Sequence, residues 1–165
     1  SSTKKAYGLT RAEQAGIETW VFRPKKYESE ELAAGDLLDR LQQRRVNYIA
    51  LAGYLKLLPA AVVRAYHNRI VNIHPALLPK YGGKGMYGKH VHEAVLSSGD
   101  TESCPTVHLV DEIYDNGRIL EQDRVPVKSD DTVDTLAARV LDAEHKLYPK
   151  VLDKLIKGEY NLRHE

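Results

Sequence analysis

The sequence predicts an α/β fold: a mostly parallel sheet with helices on both faces, closing on an antiparallel hairpin towards its C-terminal end. Three observations carry this. Helix-like and strand-like segments alternate α-β-α-β-α-β through the first half of the chain, which implies a parallel sheet wound with right-handed crossovers. Residues 46–52 are nearly all apolar, as suits a parallel strand covered on both faces. Further on, two apolar runs flank Asp115-Asn116-Gly117, a turn signal that pairs them antiparallel.

Each element has its own reason. Residues 4–15 read as a helix, with Ser2 or Thr3 as N-cap and Gly16 just past the end. Residues 17–22 are a strand closed by Arg23-Pro24. Ser29 caps a second helix whose apolar stripe is Leu32, Leu37, Leu38 and Leu41. After the apolar strand come a loop at 53–58 and Pro59, which opens a short helix where its missing N–H costs little. Residues 70–73 form the next strand, ended by His74 and Pro75. The stretch 80–89 holds Gly82, Gly83, Gly85 and Gly88 without periodicity, which predicts a mobile loop. Residues 90–97 are helical, and 105–110 and 118–125 are the hairpin strands. Asp131 or Thr132 caps a long helix with Leu136, Val140, Leu147, Val151 and Leu155 on its apolar face, and Pro149 is expected to kink or end it.

Bulk properties narrow the function. The 165 residues suit one domain, and a net charge of +1 gives no electrostatic reason to expect nucleic acid or an anionic membrane. The single cysteine, Cys104, forbids an intrachain disulfide, and a reducing cytoplasm is the simplest home. No apolar run approaches membrane-span length.

The strand tip Ile70-Val-Asn-Ile-His-Pro75 is the leading candidate site. Alternation puts Asn72 and His74 on one side of the strand, at the end where ligands bind in open α/β sheets. Asp115, in the hairpin turn, is the candidate partner. A carboxylate beside an imidazole orients it and raises its pKa, and an Asn amide donates to an oxyanion. The three together suggest acyl-type transfer without metal or covalent intermediate. Three other features compete. His90, His92 and His108 could ligate zinc, but i and i+2 on a helix diverge, so one packing inside and the other lying in solvent is the favoured reading. Gly82-Gly-Lys-Gly85 lacks the context of a phosphate loop and reads as a lid, although Lys80, Lys84 and Lys89 leave room for an anionic group. The apolar loop 54–58 with Val63 fits either a flat aromatic ligand or ordinary packing.

At this point the motifs resemble a known family. Asn72-Ile-His-Pro-Ala-Leu-Leu-Pro-Lys-Tyr81 is similar to the signature of the folate-dependent formyltransferases. Ala6-Tyr-Gly-Leu9, Ala15-Gly-Ile17, Leu51-Ala-Gly-Tyr-Leu-Lys-Leu-Leu58, Thr106-Val-His-Leu-Val110 with Asp115-Asn-Gly117, residues 122–127, and Ala143-Glu-His-Lys-Leu-Tyr-Pro149 agree in order. The resemblance covers essentially the whole chain. It implies a Rossmann-like sheet and formyl transfer from 10-formyltetrahydrofolate, as co-substrate, to the amine of glycinamide ribonucleotide in purine biosynthesis. Asn72, His74 and Asp115 become the catalytic trio, with protonated His74 and Asn72 stabilising the oxyanion. Leu55, Lys56, Leu57, Leu58, Val63, Asp111 and Glu112 become the folate contacts, and Glu144 a substrate contact. The implied partners are small molecules, with no metal, nucleic acid or membrane, and the protein a monomer or homodimer.

Three departures from the family pattern follow. The family's first strand and glycine-serine-asparagine phosphate loop, on the order of 30 residues, are not seen in this sequence, so a single domain lacking its first βα unit is expected, and a chain truly that short would be unstable and inactive. The loop after Tyr81 is longer and richer in glycine than the commonest form. No arginine stands near Glu30, where Lys25 or Lys26 is the candidate substitute. The alternatives are methionyl-tRNA formyltransferase, disfavoured by the near-neutral charge, and a non-catalytic or metal-binding α/β domain.

Overall fold

In the computed structural model the described residues are 1–162. They divide into two compact units, residues 1–47 with 58–65, and residues 48–57 with 66 onwards.

The first unit is helical. Helix α1, Tyr7–Gln14, starts three residues later than expected, and its N-cap is Ala6, with no side-chain cap. The hydroxyls of Ser1 and Thr3 instead bond the turn before it, at Thr3 N and Lys5 N. Gly16 follows α1 with a φ of 69°, as anticipated. Residues 17–22 form no strand. A strand is defined by its ladder partner; among the described residues the backbone here bonds Ala12 O, from Ile17 N at 2.8 Å, and Ser1, through Trp20 O and Phe22 N, both at 2.8 Å. Trp20 and Phe22 instead pack ring to ring, 5.2 Å between centroids, with Arg40 over the indole. Helix α2, Glu30–Gln43, is capped by Ser29, whose Oγ accepts from Leu32 N at 3.2 Å. Its buried face is Ala33, Ala34 and Leu37, while Leu32 is 55% exposed. Of the four expected leucines, Leu37 is buried, Leu38 and Leu41 are half-buried and Leu32 faces out, and the alanines complete the inward face. Pro59 leads into a short helix, α3, Ala60–Ala65, which packs on α2.

The second unit carries β1 (Ile49–Leu51), β2 (Ile70–His74), α4 (Lys89–Ser98), β3 (Glu102–Ser103), β4 (Thr106–Leu109), β5 (Ile119–Gln122), β6 (Val125–Pro126) and α5 (Val133–Ile156). Four strands form one sheet in the order β1-β2-β4-β5. The β1–β2 pair is parallel, and the hairpin β4–β5 joins antiparallel to β2. The two-residue strands β3 and β6 make a separate antiparallel pair. They are too short to show a hydrophobic period.

Helix α5 organises the packing. Thr132 caps it in a reciprocal pair with Thr135, and the helix runs on through Pro149 to Ile156. Its expected apolar face is buried throughout. Leu136 and Val140 pack with Tyr81, Val91 and Val95. Leu147, Val151 and Leu155 pack with Val71, Val107 and Leu109 of the sheet. Each such side chain contributes about 1.5–3 kcal/mol relative to exposure, so α5 fixes β2 and β4 from one face. One turn after Glu144, the Tyr148 hydroxyl contacts the carbonyl oxygens of Leu51 (2.8 Å) and Val71 (3.2 Å). That contact sits where β1 ends and β2 presents Asn72.

Candidate active site

Strand register assembles the site. Pairing of β2 with β4 sets Asn72 opposite His108 and His74 opposite Thr106. Asn72 Nδ2 lies 3.2 Å from His108 Nε2, and His108 Nδ1 lies 2.8 Å from Leu109 O. A carbonyl can only accept, so the proton sits on Nδ1 of His108. Nε2 then accepts one N–H of Asn72 and leaves the other N–H of the amide to donate elsewhere. His108 thus orients Asn72. Sequence reasoning placed it only in a metal set, because cross-strand register cannot be read from one strand.

The same logic fixes His74, which is 3% exposed. Its Nε2 donates to Tyr81 O at 2.7 Å. Nδ1 is therefore the working nitrogen, and it faces Asp115 Oδ2 at 3.6 Å. Asp115 Oδ1 is 3.6 Å from His108 Nε2. One carboxylate sits between two imidazoles, each just beyond direct hydrogen-bond distance.

Local chemistry holds Asp115 there. Its backbone is in the left-handed region, φ 54°, which Asp tolerates better than most residues. Asp111 shapes the loop, accepting from Ile113 N and Asn116 Nδ2, both at 2.8 Å. Gly117 lets the turn close on β4: a Cβ there would lie 1.9 Å from Leu109 O. The glycine-rich loop contributes directly. Gly83 N donates to Asp115 Oδ2 at 2.9 Å, and a Cβ on Gly82 would stand 3.1 Å from Asp115 Cβ and 2.6 Å from Leu78 Cδ2. The first two glycines of the expected lid are thus part of the site.

Electrostatics correct one expectation. Burial lowers the His74 pKa below its ordinary value and outweighs the pull of Asp115 and the Tyr81 carbonyl. The imidazole is therefore not poised as a cation in the free protein, contrary to the simple reading of a His beside an Asp. Burial pushes Asp115 up, but the imidazoles of His108 and His74 and the Gly83 N–H outweigh it, holding the carboxyl below its usual range. On α5, burial raises the carboxyl of Glu144 to about 7. Glu144 shares a helix face with Tyr148, four residues on, so it belongs to the face that meets the ends of β1 and β2.

The rival constellations do not assemble. His92 is 5% exposed, whereas His90 is exposed and beside Glu93; His108 is on β4. Among the described residues no group of three or more His, Cys, Asp or Glu could hold a metal. Lys80 pairs with Asp100 and Lys89 with Asp134, leaving Lys84 exposed without either carboxylate. Among the expected folate contacts, Leu55 (57%) and Leu57 (44%) are well exposed, as are Lys56 and Glu112, and Asp111 is half-buried. Leu58 and Val63 belong to the first unit, where Val63 is buried. The loop after β1 meets the loop after β4 at Tyr54 and Tyr114: burial first, and then Tyr114, raises the Tyr54 hydroxyl pKa.

Comparison with known proteins identifies the family. The formyl transferase family matches residues 1–152. The chain is 50% identical over 148 residues to the chloroplastic phosphoribosylglycinamide formyltransferase of Vigna unguiculata, covering 90% of this chain and 47% of that protein. It is 38% identical over 164 residues to phosphoribosylglycinamide formyltransferase of Haemophilus influenzae, covering 99% of this chain and 74% of that one. The crystal structure of phosphoribosylglycinamide formyltransferase from Brucella melitensis superposes with a TM-score of 0.83 at 45% identity, over 93% of this chain and 77% of that one. The chain spans about half the length of the plant relatives, 47% and 57%. The chain belongs to the formyl transferase family.

Proposed function

We propose that this protein transfers a formyl group from 10-formyltetrahydrofolate to the amine of glycinamide ribonucleotide. The observation that carries the reading is the cluster of Asn72, His74, His108 and Asp115, in which His108 holds one amide N–H of Asn72, Tyr81 O holds Nε2 of His74, and the second Asn72 N–H and His74 Nδ1 are left to work. The names of the relatives support the choice of substrates.

The chemistry follows from the atoms. The amine attacks the formyl carbon, a C–N bond forms, and the carbonyl oxygen becomes an oxyanion. The free N–H of Asn72 donates to that oxyanion, a preorganised interaction. The amine nitrogen is now positive and must lose a proton, while the departing folate nitrogen must gain one. Asp115, ionised at neutral pH, attracts the proton from the amine side. His74 Nδ1, beside Asp115, receives it and stabilises the oxygen as imidazolium. The carbon–folate nitrogen bond then breaks, the proton goes to that nitrogen, and tetrahydrofolate leaves. A neutral His74 in the resting state suits this relay, because it must take up a proton before it gives one. Glu144, whose buried carboxyl keeps its proton up to about pH 7, contacts the glycinamide substrate. The exposed leucines 55 and 57, with Lys56, Asp111 and Glu112, hold the pterin. The cytoplasm is the compartment this reading adopts.

The test is a turnover assay with 10-formyltetrahydrofolate and glycinamide ribonucleotide. Equimolar tetrahydrofolate and formylated nucleotide support the reading. Formate release without acceptor formylation, or formylation of methionyl-tRNA instead, contradicts it.

A further inference from the structure

Outside the cluster, one line of contacts ends on His74. Tyr81 supplies the carbonyl that His74 Nε2 donates to, and Tyr81 is held at both of its ends. Its N–H donates to Leu77 O at 3.0 Å. Its hydroxyl lies 2.6 Å from Asp100 Oδ2 and 2.5 Å from Ser98 Oγ. The hydroxyl has one proton and a carboxylate only accepts, so that proton goes to Asp100. Ser98 Oγ is left to donate to the Tyr81 oxygen or to Val95 O, 2.8 Å away. Asp100 follows Gly99, which ends α4 in the left-handed conformation. The C-terminal end of α4 is thereby tied through one tyrosine to the imidazole of the site.

We infer that Asp100, with Ser98 in support, is a positioning residue for formyl transfer: by anchoring the Tyr81 hydroxyl it holds the Tyr81 carbonyl on His74 Nε2 and keeps Nδ1 turned to Asp115. This rests on the function proposed above. Tyr81 is otherwise a core residue packed with Val91 and Val95, and beyond that packing its carbonyl is held only by the long bond from Gly82 N, in the same peptide, to Pro79 O at 3.3 Å. The hydroxyl anchor adds the second, shorter restraint. Asp100 also pairs with Lys80, whose Nζ is 2.7 and 2.6 Å from its two oxygens. That pair is too exposed to explain the arrangement by stability: exposed ion pairs contribute about 0–1 kcal/mol.

Two readouts test the inference. The first is the nitrogen-15 shifts of the His74 ring in the ligand-free protein, which report which nitrogen carries the proton. The second is the pH profile of kcat. Wild type should show a single tautomer, protonated on Nε2. Tyr81→Phe keeps the ring and removes the hydroxyl; the paired change Asp100→Ala with Ser98→Ala keeps the tyrosine and removes both partners. Both should show a mixed tautomer, a displaced pH profile and a kcat lower on the order of 10- to 100-fold, as for a misplaced catalytic group, with KM unchanged. Asp100→Asn retains an acceptor oxygen and should stay near wild type. Lys80→Met removes the surface ion pair and the cation over the Tyr81 ring while sparing the hydroxyl anchor, and should leave the tautomer alone. Wild-type tautomer and pH profile in the paired variant, with the fold intact, overturn the inference. Should Tyr81→Phe fail to fold, the paired variant decides, since its changes lie at one exposed and one half-buried position. Absence of formyl transfer in wild type sinks the proposed function instead, and the tautomer measurement still answers the question about His74.

Discussion

The site has two halves of opposite character. At the strand tips, Asn72, His74, His108 and Asp115 are buried or half-buried and pinned by Tyr81 O, Leu109 O and Gly83 N. In the loop after β1, Leu55 and Leu57 stand in solvent, and the Tyr54 hydroxyl is buried without a hydrogen-bond partner among the described residues. The first half is preorganised and needs no rearrangement to act. The second is exposed apolar surface, which the proposed function assigns to the pterin. Residues of the rigid half should therefore control kcat and stability, and residues of the open half should control KM.

The harshest break of the rigid half is Gly117→Ala. The added Cβ meets Leu109 O at 1.9 Å, so the turn must open and Asp115 move with it. A loss of at least about 2–3 kcal/mol is expected, read as a lower urea midpoint, together with lost turnover. An unchanged midpoint would mean that the turn is not closed against β4. Next is His108→Ala, which leaves Asn72 unoriented. It should lower kcat on the order of 10- to 100-fold with little change in KM; a pure KM effect would move His108 out of the catalytic half. Leu57→Ala probes the other side. It should raise the folate KM on the order of 10-fold, the scale of a lost apolar contact, and leave kcat alone. A fall in kcat would erase the contrast.

The smallest effect is a pH slope. Glu144 is held at about 7 against an ordinary 4.5. The folded state thus keeps a proton that the unfolded chain releases first. Stability from this group is full below 4.5 and is lost as pH rises through about 7. His74 and Asp115, both lowered, act with the opposite sign and lose their contribution as pH falls. Wild type compared with Glu144→Gln should therefore lose relative stability between pH 4.5 and about 7, seen in urea midpoints. A constant difference would show that the carboxyl is not desolvated.

Much of this was legible in the chain and some was not, for definable reasons. The long helix declared itself, because a period of 3.6 kept over 24 residues has one burial solution. The Asn72-Ile-His74 alternation and the Asp115-Asn-Gly turn declared themselves for the same kind of reason: they are local. What failed was non-local. Residues 17–22 have strand composition, yet no ladder partner comes to them in the described structure. His108 became a site residue only through the β2–β4 register, and Gly83 only because its loop folds onto Asp115. The sign of the His74 shift depended on burial, which two neighbouring letters cannot report.

The most direct test of the central claim is the turnover number of His74→Ala at saturating substrates, beside the binding of the folate donor to the same variant. The account predicts a loss on the order of 100- to 10,000-fold, the range of a general acid–base group, with donor binding retained on the exposed loop. Turnover equal to wild type would contradict it and remove the strand tip from the chemistry.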